Sequence, residues 1–135
     1  MIITFIDAGV LIAAARGRTE VSAQAMAVLD DPDRIFASSE FVRLEVLPKA
    51  LFNQNADEAD FYNAFFGAVT HWPTSNDAVV RHAYEIGVRL GLAALDALHA
   101  AAAISAGAEE LVTTEKRTKP LHRVTDIRVR SIQAE

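Results

Sequence analysis

The chain contains no cysteine. That excludes a disulfide framework, a thiolate zinc site and a cysteine nucleophile, and it suits a reducing cytoplasm. Long apolar runs are missing as well. Stretches such as Ala100–Ile104 fall far short of the ~20 residues that span a bilayer. Met1–Ile6 is apolar, but it has no basic lead-in and meets Asp7 at once, so it does not read as a signal peptide. Internal repeats are absent, and low complexity is confined to the run Ala100–Ala103. Positive charge is in short supply: 13 Lys and Arg face 18 Asp and Glu, for a net charge of −5. Such a balance argues against a protein that coats nucleic acid non-specifically.

What is present describes a globular chain. Hydrophobic residues make up 51% and charged residues 23% of 135 residues. That is the composition and size of one domain, 1–135, able to bury roughly two-thirds of its unfolded surface. The charge is unevenly spread. Six of the 13 basic residues fall between Lys116 and Arg130, opposed there only by Asp126. A solvated basic face and a phosphate-contacting patch both fit that cluster.

Apolar spacing divides the chain into alternating elements. Ile2–Ile6 is apolar on both faces, as a central parallel strand is. Helical composition follows from Gly9, and Thr19–Asp30 has helical spacing before the turn Asp30–Asp33. Arg34–Ala37 reads as a second strand, and Ser38 or Ser39 as the cap of a helix carrying Phe41, Leu44, Glu45 and Pro48. The proline is expected to kink that helix or end its regular bonding. Ala56–Val69 is a further helix, and Thr70–Trp72 a brief strand closed by Pro73. Next come a capped helix to Leu90 with Gly91 at its end, an Ala-rich helix Asp96–Ala106, and a strand Glu110–Thr113. A polar loop Thr114–His122 then leads to an edge strand within Ile127–Ile132. Strands separated by helices imply a parallel sheet, with ligands bound beyond the carboxyl ends of its strands.

Four acids stand where apolar elements end or are interrupted. Asp7 closes the first strand, and Glu115 lies just past the strand Glu110–Thr113. Glu45 sits inside the apolar segment FVRLEVL, where a charge needs a reason. Asp96 is on or just before the first turn of its helix, where an N-cap role is the plainer alternative. Related α/β architectures fit less well. A haloacid-dehalogenase phosphatase needs a second aspartate at position 9, a receiver domain needs an acidic pair, and a dinucleotide site needs a glycine-rich turn. His99 shares a helix face with Asp96 and reads as a buried structural residue, while His71, His82 and His122 show no metal spacing. Phe61, Phe65, Phe66 and Trp72 read as core or as a dimer face.

Together the stretches FIDAGVLIAA, SSEFVRLEVLPKA, LDALHAAAAISAG and ELVTTEK resemble the PIN domain, a fold of metal-dependent ribonucleases that includes the VapC-type toxins. The resemblance covers nearly the whole chain. It implies a three-layer α/β/α sandwich around a central, mainly parallel sheet of four or five strands. The family's acidic positions fall on Asp7, Glu45, Asp96 and Glu115. Mg²⁺, or Mn²⁺ in its place, takes hard oxygen ligands and can activate water for phosphodiester hydrolysis. Asp7 and Asp96 are then the main metal ligands. Glu45 then holds a metal-bound water or orients the nucleophile, and Glu115 helps a second metal or stands behind the direct ligands. Further implications are an RNA substrate contacted by Lys116, Arg117 and Lys119, a homodimer, a cognate antitoxin, and a cytoplasmic location. Two departures stand out. The small hydroxyl or amide residue usual soon after the first aspartate is replaced by Ala8-Gly9, and the last acid is glutamate, with Thr113 kept two residues before it. A rival reading is a PIN-like domain that binds RNA or a protein without cutting.

Overall fold

Parallel strands cannot be joined by a tight turn, so the chain must cross a sheet face between one strand and the next. The computed structural model, which describes residues 1–133, follows that rule throughout. Its elements run β1 (Ile2–Ile6), α1 (Ala8–Arg16), α2 (Glu20–Leu29), β2 (Arg34–Ala37), α3 (Glu40–Phe52) and α4 (Ala56–Ala68). They continue with α5 (Asn76–Leu90), α6 (Ala94–Ser105), β3 (Glu110–Thr113) and β4 (Arg128–Ser131). The sheet order is β2-β1-β3-β4, and each neighbouring pair is parallel. The sheet flanked by helices is thus four-stranded and wholly parallel among the described residues.

β1 takes a central place, with Phe5 and Ile6 fully buried, and all four residues of β3 are buried beside it. α6 owes its position to small side chains. Ala100, Ala101, Ala102 and Ala103 are each fully buried, which lets the helix lie close to β3, α3 and α5 at once. Thr19, Ser39, Asn55 and Ser75 cap their helices by accepting a backbone N–H, and Gly91, at φ 69°, closes α5 in the left-handed region. At the edge, β4 exposes Arg128 and Arg130 alternately, a charge pattern that discourages pairing with another sheet. None of the described helices is long and apolar enough to cross a membrane.

Several expectations need correction. Pro48 does not end its helix, because α3 runs on to Phe52. Pro48 has no N–H to offer the carbonyl of Leu44, and both residues are exposed, so water can serve that carbonyl. Thr70–Trp72 forms no strand; His71 makes one parallel bridge to Ala37 before Pro73 ends the pairing. α6 starts two residues earlier than expected, with Ala93 at the N-cap and no capping side chain. Asp96 is therefore not the cap. The loop after β3 contains a 3₁₀ turn, Pro120–Arg123, that buries Leu121.

Candidate active site

β1 and β3 are neighbours in register, Ile6 opposite Val112, so the residues that follow them meet at the carboxyl edge of the sheet. Asp7 and Thr113 are those residues. The Thr113 hydroxyl donates to Asp7 Oδ2 at 2.7 Å, while Asp7 Oδ1 accepts the N–H of Ala8 at 2.9 Å and so caps α1. Both carboxylate oxygens are thereby fixed before any ligand arrives. Thr113, fully buried, also accepts the N–H of Glu115 at 3.0 Å, which ties the last acid to the first through one hydroxyl.

Two helices bring the remaining groups. Glu45 on α3 lies with Oε1 2.8 Å from His99 Nε2 on α6, and the same nitrogen is 3.8 Å from Asp7 Oδ1. A glutamate on an apolar segment thus has its partner, and its carboxylate stays partly open to solvent. Asp96 sits in the first turn of α6, where the helix dipole favours negative charge. Its carboxyl is nevertheless pushed above its ordinary range, first by burial and then by the charges of Asp7, Glu115 and Glu45, with His99 opposing. The other three predicted acids thus all act on Asp96.

The donor set suits a hard divalent cation in kind, being carboxylate oxygens whose mutual repulsion a positive ion would relieve. Among the described residues, no three His, Asp or Glu side chains form a closed metal cage. A cation here would rest on few direct carboxylates and keep much of its water, the coordination Mg²⁺ prefers.

Lys116, Arg117 and Lys119 follow Glu115 in an exposed turn, closed by the Lys119 N–H on the Lys116 carbonyl at 2.9 Å. The other three basic residues of that cluster lie elsewhere. Arg123 donates to the Leu90 carbonyl at the end of α5, and Arg128 and Arg130 edge the sheet. His99 is buried, as expected, and it also joins Glu45 to the site. Its place three residues after Asp96 was the available signal. His122 binds the Glu115 carbonyl at 2.9 Å and steadies the loop after β3. Phe65 and Phe66 are core, with Trp72 packed beside them.

Solved structures with this fold are numerous. VapBC2 from Rickettsia felis, determined bound to a DNA fragment from its promoter, matches with a TM-score of 0.74 at 16% identity, over 98% of this chain and 100% of that one. VapBC-1 from nontypeable Haemophilus influenzae matches at 0.68 with 19% identity, over 96% and 98% of the two chains. The DNA-bound VapBC of Salmonella typhimurium gives 0.66 at 18%, over 97% and 98%. No curated protein matches by sequence. The PIN domain family, however, matches residues 4–126, a span that takes in Asp7, Glu45, Asp96 and Glu115. By that match the chain belongs to the PIN domain family.

Proposed function

We propose that this protein is a divalent-metal-dependent endoribonuclease and the toxin of a VapBC-type toxin–antitoxin pair. The observation that carries the reading is the convergence of Asp7, Glu45, Asp96 and Glu115 from four separate elements on one sheet edge. A fold needs no such gathering for stability, since clustered carboxylates repel. Asp7 and Asp96 hold Mg²⁺ or Mn²⁺, directly or through water. When bound, the ion neutralises phosphate charge and lowers the pKa of water. The chain's own groups do the rest. Thr113 and the Ala8 N–H keep Asp7 from turning. His99 holds Glu45 toward the pocket, where its free oxygen orients the attacking water. The exposed turn of Lys116, Arg117 and Lys119 lies directly after Glu115, placed to receive phosphates flanking the scissile one. Hydrolysis then forms a new P–O bond from water as the bond to the leaving oxygen breaks.

The toxin assignment is supported by VapBC chains that share this fold over nearly their whole length. Two exposed apolar faces suit the two protein partners, a second copy and an antitoxin. One carries Val80, Tyr84 and Val88 on α5 with Leu95 on α6, and the other Leu44, Leu51 and Phe52 on α3. The test is cleavage of single-stranded RNA by purified protein with Mg²⁺ or Mn²⁺ and with chelator. Cleavage is expected only with metal, and Asp7→Asn or Asp96→Asn should abolish it while leaving the fold intact. Full activity in either variant would remove the proposed site.

A further inference from the structure

Gly9 is the second residue of α1, where glycine costs up to about 1 kcal/mol relative to alanine. Its backbone does not demand glycine, because the positive-φ glycines among the described residues are Gly91 and Gly107. Space does. A Cβ on residue 9 would stand 2.4 Å from Thr114 Oγ1 and 3.5 Å from Thr114 Cβ and Cγ2. Threonine is stiff at χ1, so turning its hydroxyl away swings the methyl group about the same crowded axis. The two residues interlock, and the side chain that Gly9 lacks is the seat of the Thr114 hydroxyl.

Thr114 stands between Thr113 and Glu115, at the edge where β1 and β3 end. The Thr113 hydroxyl is fully committed, to Asp7 and to the Glu115 N–H. Thr114 makes no side-chain hydrogen bond among the described residues and is only half-buried, so its hydroxyl stays reachable. Thr114 therefore offers an unspent, uncharged hydroxyl next to Glu115 in sequence and against Gly9, two residues from Asp7.

We propose that Thr114 is a substrate-binding residue, its hydroxyl donating to a non-bridging phosphate oxygen of the bound RNA from the seat that Gly9 leaves open. The inference rests on the nuclease reading and names a contact within that site. Four variants test it: Thr114→Val, which keeps the shape, Thr114→Ser, Gly9→Ser, and the double Gly9→Ser/Thr114→Ala. Mn²⁺-supported cleavage of a random-sequence oligoribonucleotide gives kcat and KM. Affinity for the same RNA is read in an Asp96→Asn background, and melting temperature reports the fold.

Thr114→Val should lose about 10- to 100-fold in kcat/KM, the range for a hydrogen bond to a charged group, while Thr114→Ser stays within about threefold of wild type. Gly9→Ser should lose as much by displacing Thr114. The double variant should recover about tenfold over it, because the serine hydroxyl at position 9 lies one bond from the vacated seat. If Gly9→Ser does not fold, the valine and serine pair at position 114 decides alone. Wild-type protein that cuts RNA while Thr114→Val cuts equally well overturns this inference and spares the nuclease reading. Wild-type protein that neither binds nor cuts RNA removes both.

Discussion

A histidine buried to 2% exposure must account for both ring nitrogens, and His99 accounts for one. Nε2 donates to Glu45, whereas Nδ1 is buried without a partner. His99 is thus a positioning residue whose polar contact is with Glu45. Replacing it by leucine keeps the volume and removes the donor. His99→Leu should lower kcat about tenfold with little change in KM, and His99→Gln should recover part of the loss by donating again. Steady-state kinetics on RNA check this; equal losses in both variants, with both folded, would mean that His99 serves packing alone.

At the scale of elements, the join between α1 and α4 is electrostatic. Glu58 of α4 is buried and takes hydrogen bonds from Arg16 at the end of α1, from the Tyr62 hydroxyl at 2.6 Å and from the Asn55 side-chain amide, while its own N–H donates to Asn55 Oδ1 at the helix cap. Burial by itself raises the Glu58 carboxyl, but the bonds from Arg16 and Tyr62 and the Arg16 charge outweigh it and hold the group below its ordinary range. A lowered native pKa means that the ionised form favours folding. Its contribution is fully present above the unfolded carboxylate range and is lost as pH falls through the native value. Glu58→Gln should cost about 1–3 kcal/mol above about pH 5, and the gap to wild type should close on acidification. Thermal melts across pH 2–7 measure it, and a gap independent of pH would contradict the role. The sequence made much of the architecture legible, and for identifiable reasons. Ile2–Ile6, Arg34–Ala37 and Glu110–Thr113 read as strands because each is a short, mainly apolar run whose only charged residue, where it has one, is its first, and the four acids stood out because each interrupts or ends an apolar run. The start of α6 was hidden because Ala93 caps it with no side chain to announce the position. The seat at Gly9 was hidden because a glycine does not name the distant residue that fills its space. Glu58 gave no signal of its own, since its partner Arg16 lies 42 positions away.

For the whole molecule, the acidic edge is a store of repulsion that a bound cation would relieve. Burial and neighbouring charge hold the Asp96 carboxyl above its ordinary range, so its ionised form opposes folding at neutral pH. Metal that binds only the native state stabilises by RT ln(1 + [L]/Kd), about 2.7 kcal/mol at a hundredfold excess over Kd. Mn²⁺ at that excess should raise the melting temperature of wild type by about 10 °C and that of Asp96→Asn much less. The metal-free variant should melt above metal-free wild type. Equal shifts in both proteins would place the ion elsewhere. The strand order has a consequence for how such an enzyme comes into being. β1 leaves the ribosome well ahead of its partner, and one of its two edges waits for β3, more than a hundred residues later. Until that strand arrives, Asp7 lacks the Thr113 hydroxyl that fixes it, and Glu115 has not been made. A nascent or truncated chain that lacks β3 therefore carries three of the four acids but no assembled edge to hold them, so the cell that builds this protein meets the complete acidic edge only once β3 has been made.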